Sequence, residues 1–185
     1  MNKINKLAIF CGSNDGKNAL YKDQARELAE IIAAYNIELI YGGGKKGLMG
    51  VVADTVMKKG GIVRGVIPNL LVQWESQHDT ISELLIVENM HERKRKLYEL
   101  CDAAIILPGG FGTLDELFEI LTWNQLSIHD KKIFFLNTNG FYDHLFKHLA
   151  YIEQEGFLYG DLADKITIME KPEDLKNHLI YDVRF

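Results

Sequence analysis

Cysteine and proline are scarce. The 185 residues contain two cysteines, Cys11 and Cys101, and three prolines. No Cys-x-x-Cys pair exists, which excludes a zinc ribbon or a thioredoxin-type site. Each cysteine lies in or beside an apolar run, so both are expected to be buried, reduced thiols. Pro68, Pro108 and Pro172 do not cluster. There is no Ser/Pro-rich linker, low-complexity tract or internal repeat, so residues 1–185 are expected to form one domain. No run approaches the ~18 apolar residues of a membrane span. The run Leu7–Cys11 is too short for a signal sequence and no small-residue cleavage site follows it. A cytoplasmic protein with no membrane partner is expected. A basic excess is also lacking. Lys and Arg number 21, Asp and Glu 26, and the formal net charge is -5, which argues against a nucleic-acid partner. The six histidines are scattered and show no metal-ligand spacing, so no metal site is expected.

What the chain does have is alternation. Short apolar runs recur at Lys6–Cys11, Ile37–Tyr41, Ile62–Ile67, Leu84–Val87, Ala103–Leu107, Ile133–Leu136 and Ile166–Met169. Gly, Pro or Asn bounds them, so they read as buried strands. Between them lie segments of helical spacing: Ala19–Ala34, Leu48–Lys58, Met90–Cys101, Leu114–Leu126, Tyr142–Glu155 and Glu173–Leu179. Strands alternating with helices predict an α/β fold, a Rossmann-like doubly wound parallel sheet with helices on both faces. Ligands of such sheets bind beyond the carboxyl ends of the strands, at a topological switch point.

Three loops that follow predicted strands are glycine-rich: Cys11-Gly12-Ser13-Asn14, Tyr41 through Gly47, and Pro108-Gly109-Gly110-Phe111-Gly112-Thr113. Glycine lets backbone approach a ligand, and the following helix offers N–H groups to an anion. In the third loop, the N–H groups of Gly110, Gly112 and Thr113 suit a phosphate. Thr113 is expected to cap the next helix. Thr113-Leu114-Asp115-Glu116 has capping-box spacing, so Glu116 reads equally as a structural residue. A carboxylate there also suits ribose binding, orientation of a water, or stabilisation of an oxocarbenium-like transition state.

The basic segment Met90-His91-Glu92-Arg93-Lys94-Arg95-Lys96 looks at first like a solvated helix. Met90, Lys94, Leu97 and Cys101 share a stripe that Arg93 and Leu100 flank. Arg93 and Lys94 thus lie beside the core, where an anionic ligand would offset cations placed at a helix N-terminus. Snorkelling side chains are the alternative. His91 has a suitable pKa for a general base but no partner by spacing. Gly42-x-Gly44-x-x-Gly47 matches the dinucleotide fingerprint formally. It follows the second strand, however, and Ile62–Pro68 carries Arg64 in place of an acidic residue, which leaves NADP binding as a minor reading. Gly12 to Lys17 is one residue short of a phosphate-binding Walker loop and lacks the Ser/Thr after Lys.

The segment Pro108-Gly109-Gly110-Phe111-Gly112-Thr113-Leu114-Asp115-Glu116 resembles the PGGxGTxxE motif of the LOG ("Lonely guy") family of cytokinin riboside 5′-monophosphate phosphoribohydrolases. Phe10 to Ser13, Tyr41 to Gly44, Gly47 to Gly50, Gly65 to Pro68, Met90 to Lys94 and Thr122 to Leu126 continue the resemblance in order. It implies a Rossmann-like homodimer that cleaves N6-substituted AMP, or AMP itself, to free base and ribose 5-phosphate, with no cofactor. It implies Arg93 and Glu116 as the catalytic pair. It implies substrate contacts by Glu75, Lys94, Thr122 and the loop Gly109, Gly110, Phe111, Gly112 and Thr113 with Leu114 and Asp115. Ser13, Gly43, Gly44 and Met90 complete the expected set. Proteins of this family have carried the label "lysine decarboxylase", but nothing in the sequence supports a pyridoxal-phosphate enzyme. Ser127 stands where the family usually has Gly, Phe111 replaces a common Tyr, and Asp115 replaces a common Glu. A non-catalytic nucleotide carrier or sensor on the same fold is the alternative.

Overall fold

The computed structural model describes residues 3–72 and 77–179. Seven strands form one sheet in which every pairing is parallel. They are β1 (Lys6–Phe10), β2 (Glu38–Tyr41), β3 (Val63–Pro68), β4 (Glu83–Val87), β5 (Ala103–Ile106), β6 (Lys132–Leu136) and β7 (Ile166–Met169). The helices are α1 (Ala19–Ala34), α2 (Gly47–Lys58), α3 (Asn69–Val72), α4 (Met90–Leu100), α5 (Phe111–Gln125), α6 (Asp143–Gln154), α7 (Leu162–Lys165) and α8 (Lys176–Leu179). Single 3-10 turns cover Thr138–Gly140 and Pro172–Leu175.

The strand order is β4-β3-β2-β1-β5-β6-β7. The chain winds outward from β1 to β4, then crosses back to place β5 on the other side of β1. The β1/β5 junction is therefore the topological switch point. Leu7↔Ala103 through Phe10↔Ile106 fixes the register there.

Period-2 alternation divides the core into two layers. Leu7, Ile9, Leu39, Tyr41, Ala103, Ile105, Phe134 and Leu136 point to the side covered by α1 and α2. Ala8, Phe10, Ile40, Val66, Ala104, Ile106, Ile133 and Phe135 point to the side covered by α4, α5 and α6. Central strands buried on both faces read as unbroken apolar runs, and β5 is buried at all four positions. Edge strands β4 and β7 are buried only at Val87 and Met169. Each fully buried Leu, Ile or Phe contributes ~1.5–3 kcal/mol. Cys11 and Cys101 are free and buried, as expected from the sequence.

Candidate active site

Beyond the carboxyl ends of β1 and β5 lies a cavity of about 320 Å³, in the size range of small-molecule sites. Residues 11–16 after β1 and 108–113 after β5 form its two lips, with Arg93 and Glu116 between them. Tyr21, Leu48, Met49 and Phe141 supply apolar wall. A bond from Gly12 N–H to the Pro108 carbonyl, 3.0 Å, ties the lips together.

α5 starts earlier than the sequence suggests. Gly110 is the N-cap and no side chain caps the helix. The first helical bond runs from Leu114 N–H to the Gly110 carbonyl, 3.1 Å. The N–H groups of Phe111, Gly112 and Thr113 therefore have no acceptor within the helix, and these residues line the cavity. Thr113 is thus not the N-cap, and Thr113 to Glu116 is not a capping box. Thr113 is buried against the strand-to-helix turn, where a Cβ on Gly109 would lie 2.1 Å from Thr113 Oγ1. Only glycine fits at position 109. Starting the helix at Phe111 places Glu116 in the second turn, facing Arg93.

The other two glycine loops do not present an open helix end. The N–H groups of Leu48 and Met49 at the start of α2 both donate to the Gly12 carbonyl, at 3.1 and 3.4 Å. At α1, Asn18 Oδ1 accepts from Leu20 N–H at 3.0 Å. Of the three helices, α5 offers the anion site.

Arg93 is 7% exposed and Glu116 is 8% exposed. Arg93 Nε donates to the Val66 carbonyl at 3.1 Å and Nη2 donates to the Gly42 carbonyl at 3.3 Å. Nη1 lies 3.7 Å from Glu116 Oε1. Two carbonyls thus fix the plane of the guanidinium and aim its third nitrogen at the carboxylate. Tyr98 fixes α5 against α4: its hydroxyl donates to the Glu116 carbonyl at 3.0 Å and lies 3.2 Å from Glu119 Oε2. Its ring meets Phe10 and Trp123 edge-on. Burial and the carboxylates of Glu119 and Glu116 push the Tyr98 phenol far up, so it stays a donor. Burial, aided by Glu116, likewise pushes the cavity thiol of Cys11 up, so it is a neutral wall group.

The expected site residues divide. Ser13, Gly109, Gly110, Phe111, Gly112, Thr113, Arg93 and Glu116 line the cavity. Phe111 is 91% exposed at its rim. Lys94 does not line it. Lys94 Nζ lies 2.8 Å from Glu119 Oε2 and 3.2 Å from Asp115 Oδ2, clamping α4 to α5. Burial alone would lower the Lys94 pKa, but the bonds to Glu119 and Asp115 outweigh it and the net direction is up. Gly43 and Gly44 are not among the residues that line the cavity, and Leu114 packs against the core. Met90 begins α4 outside the cavity lining. Thr122 lies in a separate groove of about 170 Å³ with Phe118 and Tyr159, and its Oγ1 donates to the Phe118 carbonyl at 2.6 Å. Glu75 lies outside the described residues. His91 is exposed and away from the cavity. Arg64 is held by Glu38 at 3.3 Å and Glu83 at 2.6 Å, so it meets carboxylates where a 2′-phosphate reading needs it free. Tyr98 and the carbonyls of Gly42 and Val66 were not found from sequence. Tyr98 had a weak signal, a polar aromatic beside Leu97 on the buried stripe.

The family model described as "Possible lysine decarboxylase" matches residues 49–179. The chain is 41% identical over 173 residues to "Probable cytokinin riboside 5′-monophosphate phosphoribohydrolase LOGL2" of Oryza sativa subsp. japonica, covering 94% of this chain and 71% of the relative. It is 44% identical over 156 residues to "Cytokinin riboside 5′-monophosphate phosphoribohydrolase LOG1" of Arabidopsis thaliana, covering 84% and 73%. Among solved structures, the molybdenum cofactor binding protein of Rippkaea orientalis superposes with a TM-score of 0.71 at 20% identity, covering 97% of this chain and 96% of that one. The Moco carrier protein of Chlamydomonas rheinhardtii gives 0.70 at 16% identity, covering 97% and 98%. At that identity the two structures speak for the fold alone.

Proposed function

We propose a reaction from one premise: the chain belongs to the LOG family of cytokinin riboside 5′-monophosphate phosphoribohydrolases, enzymes that cleave the N-glycosidic bond of a nucleoside monophosphate. The substrate is an N6-substituted adenosine 5′-monophosphate or AMP, and the products are free base and ribose 5-phosphate. The observation that carries this reading is the buried Arg93–Glu116 pair, 3.7 Å apart, beside an uncapped helix N-terminus.

The 5′-phosphate docks on the N–H groups of Phe111, Gly112 and Thr113, where the α5 dipole adds attraction. The ribose then lies over the second turn of α5. Glu116 stabilises the positive charge that develops at C1′ as the glycosidic bond breaks, and directs water to that carbon. Arg93 stays protonated and cannot serve as a base. It orients Glu116 and supplies fixed positive charge. The bond from C1′ to the base nitrogen breaks, its electrons leave with the base, a water oxygen joins C1′, and the proton that this water gives up is balanced by the one the base takes up. No lysine is among the described residues that line the cavity. A Schiff-base decarboxylase therefore has no residue there on which to form.

Lys94 and Asp115 hold α4 and α5 in register in this reading, and Thr122 lies outside the first cavity. We also propose the homodimer. Phe118, Leu126 and Ile128 are exposed along and after the end of α5, an apolar surface suited to a second copy. Light scattering is expected to give the dimer mass, and a monomer at micromolar concentration contradicts it. No helix among the described residues is long and apolar enough to cross a membrane, and the proposed location is the cytoplasm.

Glu116→Gln tests the role of Glu116. Turnover is expected to fall by about a thousandfold or more, with phosphate-dependent nucleotide binding by calorimetry retained. A Gln variant with near wild-type turnover overturns the assignment. Nucleotide that binds tightly to the wild type yet persists for hours supports the carrier alternative.

A further inference from the structure

His78 belongs to none of the motifs, and the mechanism above does not use it. It is nonetheless 1% exposed. Its ring Nε2 lies 3.2 Å from Asp54 Oδ1 on α2, and Nδ1 lies 3.3 Å from Thr80 Oγ1. A ring that donates at Nε2 and accepts at Nδ1 satisfies both. A buried imidazole held at both ends is an anchor for its own backbone.

That backbone grips the second glycine loop. His78 N–H donates to the Gly43 carbonyl at 3.0 Å. Gln77 makes an isolated antiparallel bridge to Gly44, and Lys45 Nζ lies 3.2 Å from Asp79 Oδ1. Three consecutive loop residues are thus each held by the segment 77–79. Asp79 and Lys45 are about half exposed or more, and such pairs contribute little. The buried His78 contact is the one that sets the geometry. One residue earlier in the same loop, the Gly42 carbonyl seats Arg93 Nη2. A Cβ on Gly42 would stand 2.2 Å from that nitrogen. Adjacent carbonyls of the loop thus accept from His78 N–H and from Arg93 Nη2.

We propose that His78 is a positioning residue for Arg93. It clamps Gly43, which fixes the Gly42 carbonyl, which in turn fixes the guanidinium that faces Glu116. The functional consequence rests on the reading of Arg93 and Glu116 given above.

The test uses the full chain and two readouts: steady-state hydrolysis of the nucleotide, and the ¹H–¹⁵N resonance of Arg93 Nε–H, identified by its loss in Arg93→Lys. In His78→Ala, kcat is expected to fall about tenfold or more, with KM within about twofold, and the Arg93 resonance to move. His78→Gln, whose amide reaches Asp54, is expected to restore most of both. Leu28→Ala, in the buried core of α1, should lower stability and leave the resonance in place. Should His78→Ala fail to fold, Asp54→Ala, at a half-exposed position, is expected to move the resonance and lower kcat in the same direction. Wild-type kcat with an unmoved resonance in these variants overturns the proposal. So does an equal shift in Leu28→Ala. A wild type that hydrolyses no nucleotide overturns the proposed reaction instead, and the Arg93 resonance then still decides the positioning role.

Discussion

Arg93 shows why single residues must be read with their partners. Burying a guanidinium costs several kcal/mol unless its donors are satisfied. Val66, Gly42 and Glu116 supply those partners. Gly42→Ala disturbs this seat without removing a charged group. The added methyl would stand 2.2 Å from Arg93 Nη2, so the guanidinium must shift. A displacement near 1 Å is expected to lower kcat by up to about a hundredfold, with a smaller change in melting temperature. Unaltered kcat would show that the carbonyl does not aim Arg93. The place of Arg93 beside the core was legible from the stripe it flanks. Its seat was not, because backbone carbonyl acceptors are the same for every residue. Glu116 was legible as a carboxylate near a helix start, and its proposed catalytic role comes from the resemblance. Lys94 was placed correctly beside the core, but its partners Asp115 and Glu119 lie on another helix that spacing within α4 does not reveal.

At the scale of elements, all seven strands were legible to within about a residue: the central ones because burial on both faces leaves unbroken apolar runs between turn residues, and the edge strands β4 and β7 because they too are short, mainly apolar runs, though buried only at Val87 and Met169. The short helices α3 and α7 were not. Four residues carry no period to detect. The start of α5 was misread because Thr113 has the chemistry of a cap. In the structure its hydroxyl is packed against Gly109, and the helix leaves its first N–H groups uncapped. The proposed phosphate site accounts for the break in the capping rule: a side chain on those donors would occupy the place of the anion. The end of α5 follows the rule instead. Ser127 N–H bonds to the Asn124 carbonyl at 3.1 Å and Ile128 N–H to the Trp123 carbonyl at 3.0 Å, a Schellman closure. Ser127 has φ 56°, left-handed backbone that favours glycine. This explains the glycine usual at this position in the family. Ser127→Gly is expected to stabilise the protein by up to about 1 kcal/mol, the relief of left-handed strain exceeding the extra chain entropy of glycine. Chemical denaturation measures it. A destabilised variant would mean that the Ser side chain holds the closure.

For the whole molecule, alternation of strand and helix was sufficient to predict a doubly wound sheet, and the order β4-β3-β2-β1-β5-β6-β7 places its switch point between β1 and β5. The first and third glycine loops meet there and form the cavity. The second loop serves a different purpose, as the support behind Arg93. Sequence could not separate these roles, because glycine permits close approach to a ligand and to a buried side chain alike. Strand pairing also decided the fate of Arg64. The register sets it opposite Glu83, away from the cavity lining, so Arg64 does not stand where the NADP reading needs it.

The central claim is that this cavity breaks an N-glycosidic bond. The most direct test is a product assay on the purified protein with AMP and with N6-isopentenyladenosine 5′-monophosphate, following free base and ribose 5-phosphate. Stoichiometric release of both products from at least one of the two nucleotides is expected, and the preferred one reports the shape of the base site. Intact nucleotide after prolonged incubation, with binding confirmed by calorimetry, would contradict it.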